Sequence, residues 1–214
     1  FGGTGMNTFN VALAARAFLF FSYPGSMTGD KVWAATDQIC GLGYTLPDGF
    51  TMATPLGEIA QGTAMNTSLS DMVVGLMPGS VGETSVIAIA IGAIILIWTN
   101  IASWKTMLSV FAGGIVMALI FHSAGASPLQ WYEHVVLGGF CFGAVFMATD
   151  PVTSARTERG KWIYGFLVGV MAVIIRVLNP GYPEGMMLAI LFGNMCARLI
   201  DYCVCLLYTS PSPR

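Results

Sequence analysis

Ser85-Val86-Ile87-Ala88-Ile89-Ala90-Ile91-Gly92-Ala93-Ile94-Ile95-Leu96-Ile97-Trp98-Thr99-Asn100-Ile101 runs without a single charged residue. Its length approaches the ~20 apolar residues that cross a hydrocarbon core of ~30 Å. Trp98 falls near its end, where aromatic rings prefer the headgroup layer. Four further runs of this kind follow at about 105–123, 133–149, 162–178 and 186–204, with Trp104, Trp131, Tyr132 and Trp162 close to their ends. A shorter run at 8–24 contains Arg16 and stops at Tyr23-Pro24-Gly25, which makes it a marginal span. Composition agrees, since 55% of the 214 residues are hydrophobic and only 9% charged, whereas soluble domains carry about 25% charged residues. The mean hydropathy is +0.72. The expected fold is all-α, a polytopic transmembrane helical bundle with five firm spans, one marginal span and a long external loop. A net charge of −2 without a basic patch argues against a nucleic-acid partner.

That loop is the polar stretch 25–84, which carries Asp30, Lys31, Asp37, Asp48, Glu58, Asp71 and Glu83 and only short semi-apolar pieces near 32–40 and 69–77. A connection so long, with no long helix of its own, is usually functional or disordered. Small, polar and turn-forming residues crowd together in its middle, at Asp48-Gly49-Phe50-Thr51-Met52-Ala53-Thr54-Pro55-Leu56-Gly57. Pro47-Asp48-Gly49 reads as a tight turn. Pro55 biases Thr54 towards an extended backbone, so the threonine hydroxyl is expected to stand off the chain rather than fold onto a helix turn.

Sidedness follows from the basic residues. The link 150–161 holds Arg156, Arg159 and Lys161, and the link 102–105 holds Lys105. Two spans separate them, so they share a face, and basic links lie on the cytoplasmic side. Counting back one span places 25–84 outside, with Lys31 its sole basic residue. Arg176, near an outer end, runs against this count, and Glu184 is its expected partner.

The stretch Thr51-Met52-Ala53-Thr54-Pro55-Leu56 resembles the Ser/Thr-Gly-Ala-Thr-x-Leu flavin-attachment motif of the NqrB/RnfD family, the membrane subunits of sodium-pumping NADH:quinone oxidoreductases and their Rnf relatives. Met52 stands where the family usually has glycine. The resemblance continues in order through Phe1-Gly2-Gly3-Thr4-Gly5-Met6-Asn7-Thr8-Phe9-Asn10, Ala14-Ala15-Arg16-Ala17-Phe18-Leu19-Phe20-Phe21, Gly79-Ser80-Val81-Gly82-Glu83-Thr84-Ser85, Ala148-Thr149-Asp150-Pro151-Val152 and Asn179-Pro180-Gly181-Tyr182-Pro183-Glu184-Gly185. It covers Phe1 to about Cys203, with Val11 where proline is usual. The wording Gly3-Thr4-Gly5-Met6-Asn7 is closer to the quinone-reductase branch than to Rnf.

The resemblance implies a multi-pass component of a bacterial inner-membrane translocase that couples electron transfer to sodium export. It implies FMN esterified through its phosphate to the side-chain oxygen of Thr54, riboflavin as a second flavin, ubiquinone as acceptor, and a flavin transferase acting outside the cytoplasm. NADH would bind elsewhere in the complex, because no Gly-x-Gly-x-x-Gly or Walker loop follows a strand here. Asp48, Thr51 and Glu83 are candidates for the flavin's surroundings, and Glu83 also reads as a carboxylate favoured near a helix start. Asp150 and Asp201 match acidic residues that the family links to sodium uptake. Ionisable groups at membrane depth often mark ion paths, although Asp150 also reads as a turn aspartate and Asp201 as a partner of Arg198 three residues earlier. Two other readings remain, an Rnf-type subunit serving ferredoxin and a cofactor-free transporter or scaffold. The Thr54 motif discriminates against the second.

Other chemistry-bearing residues read as structural. His122 and His134 flank the link 124–132 and read as exposed interfacial histidines. Cys40, Cys141, Cys196, Cys203 and Cys205 show no closely spaced Cys-x-x-Cys pairs for zinc or iron–sulfur ligation. Cys141 and Cys196 read as small buried hydrophobes. The chain opens inside a family motif, and its character changes after Cys205. It therefore reads as a partial membrane domain at 1–205, with upstream helices missing, and a non-native tail at 206–214.

Overall fold

The computed structural model describes residues 6–23, 54–60, 68–77, 79–80, 82–179 and 184–209. Among them every regular element is helical: α1 Val11–Ser22, α2 Pro55–Ala60, α3 Leu69–Val74, α4 Val86–Trp98, α5 Trp104–Ser123, α6 Trp131–Val136, α7 Phe140–Phe142, a π-helical turn Gly143–Met147, α8 Glu158–Leu178 and α9 Met186–Thr209. Three helices, Trp104–Ser123, Glu158–Leu178 and Met186–Leu207, are long and apolar enough to cross a membrane, and α1 and α4 are shorter apolar helices. The polytopic helical architecture is therefore the one expected, while the span count is redistributed.

Local chemistry sets the helix starts. Asn10 Oδ1 accepts from the N–H groups of Ala12 and Leu13 to open α1, and Ser85 and Thr157 accept from Ala88 and Gly160 to open α4 and α8. Each satisfies a donor that the first turn leaves without an intrahelical partner. The 85–101 run yields only α4, because Thr99 and Asn100 end it. Asn100 takes a positive φ of 54°, and the Thr99 hydroxyl donates back to Ile95 O.

The core is an α5–α8–α9 bundle with α1 laid against α9. Val110, Ala118, Phe140, Ala144, Tyr164, Val168, Ala172, Ile190 and Ala197 are buried in one cluster. A Cβ at Gly165 would stand 2.7 Å from Thr106 O, so α5 and α8 approach at backbone distance, as small residues permit in membrane bundles.

The expected continuous span at 133–149 is corrected. The chain enters as α6, breaks at Leu137-Gly138-Gly139, and resumes as α7 and the π-turn. Gly138 has φ +65°, which closes the helix, and a Cβ there would lie 2.5 Å from Leu56 Cδ1. Only glycine takes that conformation at no steric cost. Gly138→Ala is expected to lower stability by about 1–2 kcal/mol from the backbone alone. Thermal unfolding of the full-length chain in detergent checks this, and an unchanged midpoint would refute the tight break.

Candidate functional site

Thr54 stands directly before α2, whose first residue is Pro55, a position where the missing proline N–H costs nothing. Its hydroxyl does not stand off the chain as the sequence led us to expect. Thr54 Oγ1 accepts from Gly57 N at 3.2 Å and caps the short helix. Proline excluded helical geometry at Thr54 but also began a new helix there, which the steric argument alone did not anticipate. Asp48 and Thr51, the other loop candidates, lie outside the described residues.

The helix after Thr54 is held by a small apolar cluster of Leu56, Met72, Met77, Leu129 and Leu137. The threonine segment thereby docks on the break in the third apolar run, at the same end of the bundle as the link 124–130. Thr54 lines a cavity of about 20 Å³ together with Glu83, Thr84, Leu137, Gly138 and Glu184. That volume suits roughly one water molecule.

Charge gathers around this cavity. Glu83 is buried, and its carboxylate accepts from Ser80 N at 3.1 Å. Its other oxygen would be 3.1 Å from a Cβ placed on Gly139, so Glu83 abuts the start of α7. Glu184 pairs with Arg16 at 3.2 Å. Burial, and then the neighbouring Glu83, push the Glu184 carboxyl above the usual range, while Arg16 and Arg176 oppose them. Arg176 reaches the backbone carbonyl of Glu184. The guanidinium donates to His134 O at 2.5 Å, Leu137 O at 3.2 Å and Glu184 O at 3.4 Å. It thus satisfies carbonyls that the broken helix leaves over.

Asp150 and Asp201 belong to the opposite end. Asp201 accepts from Arg156 N, Thr157 N and Thr157 Oγ1 at 2.8, 3.0 and 2.7 Å, just before α8 begins. Arg176 sits near the other end of α8, roughly 28 Å away by helix rise. The expected Asp201–Arg198 pair is present as a charge–charge interaction, but Arg198 donates its hydrogen bond to Val152 O. Asp150 accepts from Val152 N and Thr153 Oγ1, which is the geometry of a turn aspartate. It also lines an open cavity of about 460 Å³ with Asn7, Asn10 and Thr149. Among the described residues, no three His, Cys, Asp or Glu side chains gather to hold a metal ion.

Sequence reasoning misplaced His134, which is 1% exposed, with its ring nitrogen Nε2 3.0 Å from Ser127 Oγ. Cys141 is buried as expected, whereas Cys196 is half-buried. The Arg16–Glu184 pair was also missed, although an arginine inside an apolar run signals a buried partner.

The sequence profile of the NQR2, RnfD, RnfE family matches residues 1–206. The chain belongs to this family. It is 50% identical over 211 residues to the B subunit of the Na(+)-translocating NADH-quinone reductase of Chromohalobacter salexigens, covering 94% of this chain and 49% of that one. To the B subunit of the Stutzerimonas stutzeri reductase it is 50% identical over 209 residues, with 95% and 50% covered. To the corresponding protein of Klebsiella pneumoniae strain 342 it is 48% identical over 218 residues, with 95% and 50% covered. The chain thus spans about half the length of the curated relatives it matches, and its membership of the NQR2, RnfD, RnfE family rests on nearly all of its own length.

Proposed function

We propose that the chain is part of a membrane subunit of a Na+-translocating NADH:quinone reductase in a bacterial inner membrane, with FMN esterified to Thr54. The observation that carries the reading is identity near 50% to relatives named as the B subunit of that reductase, joined to the placement of Thr54 beside a charged cavity. That identity also favours the quinone-reductase branch over an Rnf-type, ferredoxin-linked subunit.

The residues present fit an ester at Thr54. Its oxygen accepts from Gly57 N, and an ester oxygen retains the lone pair for that contact. Arg16 and Arg176 offset Glu83 and Glu184, so the surroundings do not oppose a phosphate with unbalanced negative charge. The cavity is too small for a flavin ring, so only the attachment atom falls within it. Bound there, FMN would supply one- and two-electron transfer. The chain's own part is to hold α2 against Leu137 and Gly138 and to set the local field through Glu83, Glu184 and their arginines. Electrons would arrive from other subunits and leave towards riboflavin and ubiquinone, and a flavin transferase would load the threonine.

Asp150 and Asp201, at the far end, would serve the entry of Na+. Asp201→Asn keeps an acceptor for Arg156 and Thr157 while removing the charge. In the full complex, Asp150→Asn and Asp201→Asn are expected to weaken the sodium dependence of quinone reduction. Unchanged sodium activation in both variants would remove the ion-path role. The attachment itself is tested by the mass of the Thr54 peptide from the mature full-length subunit, which should exceed the bare peptide by one FMN phosphoester.

A further inference from the structure

At the end of the bundle away from Thr54, the starts of α5 and α8 and the turns before them enclose a cavity of about 430 Å³. Three cationic side chains, Lys105, Arg156 and Lys161, line it against a single carboxylate, Glu158. Glu158 is shared by both lysines, at 2.5 and 2.6 Å, while Arg156 is exposed and forms no ion pair among the described residues. Positive charge is therefore in excess. The hydroxyl of Ser103, also in the wall, makes no hydrogen bond to the helix it caps.

Apolar side chains flank one side of the cavity, Ile101 and Trp104 in its wall and Trp162 and Ile163 beside it on α8. Trp104 and Trp162 meet edge to face at 6.1 Å, and Ile101, Trp104 and Ile163 are 61%, 51% and 51% exposed. These side chains continue onto the outer surfaces of α5 and α8. A ligand seated here would meet cations at its head and apolar surface along its tail. Paired tryptophans mark the headgroup level, and basic pockets between spans at that level select acidic headgroups.

We propose that this cavity binds the phosphate headgroup of an anionic membrane phospholipid, with Lys105, Arg156 and Lys161 as its cationic contacts and the acyl chains lying along Trp104 and Trp162. The phosphate oxygens are the recognised chemistry. The apolar continuation assigns them to a lipid rather than to free phosphate. Arg156 is the cation with no carboxylate to displace, so it engages the headgroup first. Glu158 then shares its two lysines with the incoming oxyanion.

The test uses the full-length subunit purified with its native partners and reconstituted in nanodiscs. Phosphatidylglycerol is compared with phosphatidylcholine, and inorganic phosphate is added to phosphatidylcholine discs as the lipid-free arm. Acylation of Lys105 and Lys161 by an amine reagent, read by peptide mass, should slow in phosphatidylglycerol alone. This measurement needs no variant. In Lys105→Gln and Arg156→Gln, native mass spectrometry should find less retained phosphatidylglycerol, about fivefold for each cation removed. Equal protection in phosphatidylcholine would overturn the proposal, as would equal protection by inorganic phosphate. Undiminished retention in both variants would overturn it too.

Discussion

Thr54→Ala is expected to abolish the proposed covalent flavin, so that the denatured protein runs as a band without flavin fluorescence. Thr54→Ser, which keeps a hydroxyl at the same place, restores the band. The expected effect is all or none, because an ester needs an oxygen and alanine has none. The structure removes the usual objection that a lost cofactor reflects a lost fold. Thr54 contributes one cap contact to a six-residue helix, Oγ1 to Gly57 N, and losing a cap costs about 0.5–2 kcal/mol. The apolar grip of Leu56 on Leu129 and Leu137 is untouched. Thermal unfolding should therefore shift no further than in Gly138→Ala, the fold being retained, while fluorescence vanishes. The variant must be the full-length subunit, co-expressed with the flavin transferase. A fluorescent band that survives the alanine places the flavin on another residue and withdraws the assignment of Thr54.

The legible part of this fold was what hydropathy and length report. The apolar runs that became α5, α8 and α9 were visible because burial and lipid exposure both demand apolar residues over a membrane's thickness. The run at 133–149 was equally apolar yet breaks, because the break depends on a positive φ at Gly138 and on Leu56 reaching it from far along the chain. Gly138-Gly139 was visible as a packing signal, but nothing local separates a glycine that packs from one that turns. The same limit hid the docking of Thr54. Thr54, before Pro55, lies outside the helix, while the helix after it is held by Met72, Met77 and Leu129, which are distant in sequence. Asp201 was singled out for its depth, and its hydrogen-bond partners turned out to be the N–H groups of Arg156 and Thr157. Backbone donors carry no sequence signature, so Arg198 looked the better partner on spacing alone.

Arg176 carries the second large effect. Its side chain is buried, and it donates to the carbonyls of His134, Leu137 and Glu184, tying the end of α6 to the turn before α9. Removing it leaves buried carbonyls without donors and leaves Glu83 and Glu184 short of a balancing charge. A buried acceptor left without its donor costs about 1–3 kcal/mol each, and three of them sum to a large share of the roughly 5–15 kcal/mol that holds a typical domain together. Arg176→Gln is therefore expected to lower the unfolding midpoint of the full-length chain well beyond Gly138→Ala. Arg176→Lys should recover only part, because an ammonium lacks the planar fork that reaches separated carbonyls. The break at Gly138 forms the wall on which α2 rests, so the same variants should loosen the Thr54 segment. In a Thr54→Cys background, maleimide labelling should quicken when Arg176 is replaced, and this readout needs no flavin. Equal labelling rates with and without Arg176 would mean that α2 is held by its apolar contacts alone. A stability change confined to the α6–α9 junction would then be the whole of what the arginine does.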